Sequence, residues 1–198
     1  MAKNVKAVFD FDNTITTKDT LFHFIRFYHG ELKFLWGIFV LSPMLFLFVC
    51  KLISNEKAKQ RMFSFYFKGE KSEVFREKCI AYSKEIDKIL NSQAIERIEW
   101  HNGQGHEVII VSASIEDWIK PWAEQHNITL VIGTKLESKN SVLTGSFASP
   151  NCYGAEKVKR FLELYPDRDD YELFAYGDSR GDAEMLELSD HPFYKTFE

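Results

Sequence analysis

The chain has 198 residues, 45% of them hydrophobic and 27% charged, with a formal net charge of −4. That length suits one domain, or one domain carrying a large insertion, and the apolar share supports a sizeable core rather than disorder. The acidic balance, with no Lys/Arg run, excludes the electrostatic footprint of a nucleic-acid binder. Cys50, Cys79 and Cys152 form neither a metal-ligand spacing nor an even disulfide framework, which fits a reducing compartment. The N-terminus enters a strand pattern with no room for a signal peptide, so the expected location is cytoplasmic, with membrane association kept open by one apolar stretch.

Val5, Ala7, Val8 and Phe9 form an apolar run that leads into Asp10 and Asp12. A buried parallel strand reads this way, and ligands of open α/β sheets bind beyond the carboxyl ends of such strands. On an extended chain the i, i+2 spacing puts both carboxylates on one face. Two like charges there need a cation between them or a proton on one. Mg²⁺, a hard ion that takes few protein carboxylates plus phosphate oxygens, is the obvious candidate. Asp12-Asn13-Thr14 also reads as plain turn chemistry.

Helical spacing follows. Leu21, Phe24, Ile25 and Tyr28 predict a helix capped by Asp19 and stopped near Gly30. Phe34–Cys50, flanked by Lys33 and Lys51, is apolar all round. As a helix it spans about 25 Å, short of the ~30 Å hydrocarbon core, and Pro43 is expected to kink or split it. A spanning helix, a buried hairpin and a surface dipping into a membrane interface all stay open for this stretch. Ala58, Arg61, Met62 and Phe65 form one further stripe; Val74, Cys79, Tyr82, Ile86, Ile89 and Leu90 form a longer one, and Ile95 and Ile98 begin another. Eleven of the eighteen phenylalanines fall between Leu21 and Phe75, a stripe that reads first as core and would also suit a greasy substrate.

From Gly103 the pattern changes. Glu107–Ser112 is a β-branched run typical of a central strand. Ser114 with Asp117 resembles a capping box, and Pro121 suggests a helix starting there. Leu130–Leu136 and Val142–Phe147 read as strands joined by a polar turn, a helix is expected near Gly154–Leu164, and Glu172–Tyr176 reads as a strand running into Gly177-Asp178-Ser-Arg-Gly-Asp182. Strand–helix alternation means an α/β fold, a Rossmann-like parallel sheet flanked by helices, with a helical insertion at 17–100 between its first two strands.

Three later sites can meet Asp10 and Asp12. Ser112 ends a core strand ahead of a helix N-terminus, where hydroxyl and N–H groups favour an anion or simply cap the helix. Lys157 opposes the dipole early in its helix, which suits either a solvated cation or one that neutralises phosphate and nucleophile together. Asp178 can complete an ion site with Asp10 and Asp12, and Asp182 can orient Lys157 or a metal-bound water, although a structural turn explains that loop as well.

Asp10-Phe-Asp12-Asn-Thr14, Val111-Ser112-Ala-Ser, Gly154-Ala-Glu-Lys157 and Gly177-Asp178-Ser-Arg-Gly-Asp182 resemble the four motifs of the haloacid dehalogenase superfamily, most closely its phosphoserine-phosphatase-like branch, subfamily IB. The resemblance implies a core of residues 1–16 and 101–198 with an all-helical cap of the C1 type at 17–100. It implies a Mg²⁺-dependent phosphomonoester hydrolase in which Asp10 is the nucleophile and Asp12 the acid and base. Asp10, the Asp12 carbonyl and Asp178 would hold Mg²⁺. Ser112, Ala113 and Lys157 would hold the phosphoryl group, with Asn13 and Thr14 beside it and Asp182 in support.

Ala113-Ser114 stands where phosphoserine phosphatases usually carry Gly-Gly, and Asp19 where they carry a longer Glu. The apolar stretch resembles that of phosphatidylglycerophosphatase C-like members. The expected substrate is therefore a small phosphorylated metabolite, phosphoserine-like, or a lipid phosphate, with peripheral membrane contact through Phe34–Cys50. A non-enzymatic phosphoacceptor module is the alternative, and no oligomeric state is implied.

Overall fold

The structure, a computed structural model, describes residues 4–128 and 130–197. Five parallel strands form the sheet: β1 (Asn4–Phe9), β2 (Glu107–Ile115), β3 (Leu130–Thr134), β6 (Tyr171–Gly177) and β7 (His191–Tyr194), in the order β3-β2-β1-β6-β7. β1 lies at the centre, with Phe9 opposite Ile110 on one side and Tyr176 on the other. The carboxyl ends of β1, β2 and β6 therefore open side by side. Alternation along β1 sends Ala7 and Phe9 into one core, with Trp118 and the aromatic insert residues, and Val8 into a second beneath the other face, with Phe161, Leu173 and Met185.

Five helices separate β1 from β2: α1 (Thr20–His29), α2 (Glu31–Val49), α3 (Asn55–Phe67), α4 (Ser72–Ile86) and α5 (Ser92–Gly103). Asp19 caps α1 by accepting from the N–H groups of Leu21 (2.9 Å) and Phe22 (3.3 Å), and Gly30 ends it at φ 78°. α2 is one continuous helix through Pro43. Pro43 has no N–H to give the Phe39 carbonyl, and the Ser42 hydroxyl donates to that carbonyl instead, at 2.7 Å. A single helix therefore replaces the expected split, and Phe34, Gly37 and Met44 are its only fully buried residues.

Helix phases differ in places from the sequence expectation. In α3 the buried face is Ala58, Met62, Phe63, Tyr66 and Phe67, while Arg61 and Phe65 face out, because the helix packs against α2 and the strand Val142–Phe147. In α4, Phe75 is buried and Val74 exposed. α6 (Glu116–Gln125) starts five residues before Pro121, which sits inside it, and Ser114 is not its cap. Leu130–Leu136 is broken at Lys135: β4 (Leu136–Lys139) leaves the sheet to pair antiparallel with β5 (Val142–Phe147). Asn140 and Ser141 form the turn at φ 52° and 61°. This hairpin reaches the insert. Gly69 N–H donates to Leu143 O (2.9 Å), Leu143 N–H to Glu70 O (2.8 Å) and Ser72 N–H to Ser141 O (2.9 Å). α7 (Ala155–Leu164) precedes β6, while α8 (Ala183–Leu188) and β7, with no expectation from sequence, complete the chain.

Candidate active site

The β1 strand delivers Asp10 to the sheet rim, where its N–H donates to Tyr176 O at 2.9 Å. The chain then makes a wide turn closed by Thr16 N–H donating to Phe11 O at 2.9 Å, with Asn13 at φ 58° inside it. Asparagine tolerates this left-handed conformation better than most residues. Asp10 is 8% exposed and Lys157, on the first turn of α7, only 2%. The Lys157 ammonium donates to Asp10 Oδ1 and to Asp182 Oδ1, each at 2.6 Å. Asp182 also accepts at Oδ2 from the Ser179 N–H (3.0 Å) and hydroxyl (2.8 Å) and from Asp178 N–H (3.3 Å). Its carboxylate thus fixes both Lys157 and the loop that carries Asp178. Gly177 makes this possible: a Cβ there would lie 2.5 Å from that of Asp182.

Charge balance at the rim is unfavourable without a further cation. Burial pushes Asp10 up to about 7, helped by Asp182 and Asp12 and opposed by Lys157. Burial, then Asp182, also raises Asp178. Burial alone would lower Lys157, but Asp10 and Asp182 hold its ammonium above the ordinary lysine range. Carboxylate oxygens of Asp10, Asp178 and Asp182 lie within 4.8 Å of one another. Hard oxygen donors converging in a charge-deficient setting fit a divalent ion such as Mg²⁺.

Asp12 turns toward the insert. Its Oδ1 accepts from Thr20 N–H (2.8 Å) and the Thr20 hydroxyl (2.6 Å), and its Oδ2 accepts from the Ser114 hydroxyl. Trp118 Nε1 donates to the Thr20 hydroxyl at 3.2 Å. Ser112 is buried just past Val111, where the pairing of β2 turns irregular, although the strand runs on to Ile115 rather than ending at Ser112 as expected. Its hydroxyl accepts from Ser114 N–H at 3.0 Å.

Asp10, Asp12, Asn13, Ser112, Ala113, Lys157, Asp178 and Asp182 all line one cleft of about 280 Å³. Thr14 does not; it lines a neighbouring cleft beside Asp178, buried, with its hydroxyl unpartnered. The insert contributes Asp19, Asn55 and Lys59, and the loop before α7 contributes Tyr153. Of these, sequence singled out only Asp19. Burial, then Asp12, pushes Asp19 up to about 6 against the pull of Lys59. Lys59 donates to Ala113 O (3.0 Å), and Asn55 accepts from Asn151 Nδ2 (3.1 Å), so both insert residues also touch the sheet side. Ser114 was legible only as a cap, and its bond to Asp12 has no local sequence signal.

Among proteins of known sequence, Protein CicA of Caulobacter vibrioides is 30% identical over 192 residues, covering 96% of this chain and 85% of that protein. A Mycobacterium tuberculosis protein named as a probable phosphatase is 31% identical over 109 residues, which is 54% of this chain and 37% of its own length. Among solved structures, a Bordetella pertussis protein of unknown function superposes with TM-score 0.81 at 18% identity, over 94% of this chain and 87% of its own. A phosphoserine phosphatase captured as a phospho-aspartyl intermediate analogue superposes with TM-score 0.63 at 19% identity, over 94% of this chain and 84% of its own. The family model for haloacid dehalogenase-like hydrolases matches residues 7–187, from within β1 to within α8. With strand order, motif placement and family model in agreement, this chain belongs to the haloacid dehalogenase-like hydrolases.

Proposed function

We propose that the chain is a Mg²⁺-dependent phosphomonoester hydrolase working through an aspartyl-phosphate on Asp10. The supporting observation is the buried ammonium of Lys157 bridging Asp10 and Asp182 at the floor of a cleft rimmed by Asp12, Ser112 and Asp178. The phosphatases among its structural neighbours and sequence relatives support the reaction class. Residues 17–100 act as the cap over residues 1–16 and 101–198.

The Asp10 and Asp178 carboxylates and the Asp12 carbonyl would hold Mg²⁺, which when bound supplies positive charge to the phosphoryl oxygens. Lys157 engages Asp10 Oδ1, so Oδ2 attacks phosphorus while the ester P–O bond breaks. The leaving oxygen takes a proton from Asp12. Water then attacks the same phosphorus, gives its proton to Asp12, and the bond to Asp10 breaks. Ser112, the Ala113 N–H and Lys157 hold the phosphoryl oxygens throughout. Asn13 lies beside them, and Thr14 acts from behind the loop.

Asp19, Asn55 and Lys59 make the far wall polar, which suits a small phosphorylated metabolite such as a phosphoserine-like compound. The exposed apolar face of α2 favours a second reading, a phosphomonoester carried on a lipid. The test is Mg²⁺-dependent phosphate release from an aryl phosphate by the native chain and by Asp10→Asn. We expect a loss of at least about 10³-fold in the variant; equal activity refutes the assigned nucleophile. A stable aspartyl-phosphate without turnover would mark a phosphoacceptor module instead.

A further inference from the structure

α2 has two apolar faces. One, through Phe34, Gly37 and Met44, is buried against the rest of the insert. It is fixed where the Tyr66 hydroxyl donates to Phe34 O at 2.7 Å, and where a Cβ on Gly37 would lie 2.0 Å from that hydroxyl. The other face leaves Trp36 60%, Phe39 70%, Phe46 67% and Val49 74% exposed, and Leu52 extends it past the helix end. Only 17% of the most apolar window of this helix is buried. Such a continuous apolar face is far beyond the scattered exposure normal for a protein surface.

We propose that this face of α2 lies in the plane of an anionic lipid bilayer, seated at the depth of the headgroup–acyl boundary. Three observations select that occupant. From Phe34 to Cys50, Ser42 is the one residue with a hydroxyl, and it spends that hydroxyl on the Phe39 carbonyl. Apart from the Trp36 indole N–H, which suits the headgroup level of a bilayer, and the weak Cys50 thiol, the face offers no side-chain donor, so a protein partner finds little to bond. Between Arg26 and Arg61, with Lys59 turned into the cleft and Arg26 paired with Glu31, the exposed Lys33, Lys51, Lys57 and Arg61 face only Glu56, in a chain whose net charge is −4. This local positive excess complements anionic headgroups. Finally, Lys33, in the first turn of α2, and Lys51, just past its end, flank the apolar run and both are exposed. In an in-plane helix both reach the same headgroup layer, whereas a spanning helix would part them and draw the α3 face bearing Lys57 and Arg61 into hydrocarbon.

The turn ending α2 runs straight into Asn55, which lines the catalytic cleft, so the seated face and the cleft share one connector. The inference concerns docking alone and does not depend on the phosphatase assignment.

Flotation of the full chain with vesicles of phosphatidylcholine, with and without phosphatidylglycerol, tests it, alongside Phe39→Glu/Phe46→Glu. Circular dichroism and an unchanged cooperative thermal melt verify that the double variant is folded. The native chain should float with phosphatidylglycerol vesicles, and the variant should lose at least about tenfold in partitioning. Lys51→Glu/Lys57→Glu should weaken binding roughly fivefold per residue, an effect that disappears at high salt. Fluorescence of Trp36 should be quenched by lipids brominated near the headgroup more than by those brominated at the bilayer centre. Failure of the native chain to float, equal flotation of the double variant, or quenching strongest at the bilayer centre overturns the proposal. So does a lipid-free dimer that the double variant abolishes, which would make a second copy the occupant.

Discussion

Ser114, near the end of β2, donates its hydroxyl to Asp12 Oδ2, while Thr20 at the start of α1 holds Oδ1 through its N–H at 2.8 Å and its hydroxyl at 2.6 Å. One carboxylate thus joins the sheet to the first helix of the insert. If Asp12 shuttles the proton, these donors position it.

Ser114→Ala should lower kcat by about 10- to 100-fold, the equivalent of the 1.5–3 kcal/mol typical of a hydrogen bond to a charged group. KM should move far less, because the bond acts on the proton shuttle and not on ground-state binding. Ser114→Thr, which keeps the hydroxyl, should recover most of the loss. Steady-state kinetics on an aryl phosphate checks both variants.

Lys157→Met should remove activity and destabilise the fold by about 3–5 kcal/mol, because it strands two buried carboxylates. Asp10 already sits at about 7 with Lys157 in place, above the ordinary 3.8. A carboxyl raised on folding favours the folded state below its ordinary value, and that contribution is lost as pH rises through the folded value. The deficit of the variant should therefore be smallest in acid and grow through neutral pH. Urea unfolding at pH 5 and pH 8, in chelator, measures it.

His101 is buried, with Nδ1 2.8 Å from His106 Nδ1 and Nε2 3.0 Å from the Tyr176 hydroxyl. Burial, reinforced by Arg97 and His106, lowers it from 6.5 to about 3. Its contribution to stability is present above the ordinary value and is lost as pH falls from about 6.5 toward 3. His101→Gln should flatten the acid limb of the stability curve by up to about 1.4 kcal/mol per pH unit, read from denaturant midpoints between pH 4 and 7.

Gly37→Ala should cost about 1–3 kcal/mol, since the methyl must displace the Tyr66 ring from a packed contact. In a chain of this size that is a fall in Tm of roughly 2–4 °C per kcal/mol. Differential scanning calorimetry should show it, and Phe39→Glu on the outward face should leave Tm nearly unchanged.

What was legible in the sequence followed the sheet. Asp10 and Asp178 follow strand ends, Ser112 follows Val111, where the regular pairing of β2 breaks, and Lys157 lies in the first turn of a helix; parallel neighbours open at one rim, so topology alone gathers them in one cleft. Asn55, Lys59 and Tyr153 come from the insert and a loop, where only tertiary packing decides what they face. Ser114 misled because Ser-x-x-Asp is also a helix start, and its long-range bond to Asp12 outweighed the local one. In α2 the uniform apolar pattern carried no phase, so sequence could not distinguish its buried face from its exposed one. Pro43 misled because the compensating hydroxyl of Ser42 sits next to it. β7 is short and half-exposed, which erases the apolar signature of its longer neighbours.

The β4–β5 hairpin also has a mechanical consequence. An insert held only by its two chain connections could swing freely, but this one is stitched to the hairpin, at Leu143 of β5 and at the turn residue Ser141, through Gly69, Glu70 and Ser72. Opening it wide means unzipping three backbone bonds, at about 0.5–1.5 kcal/mol each. The gap between insert and sheet is therefore gauged by a hairpin that contributes no residue to the cleft.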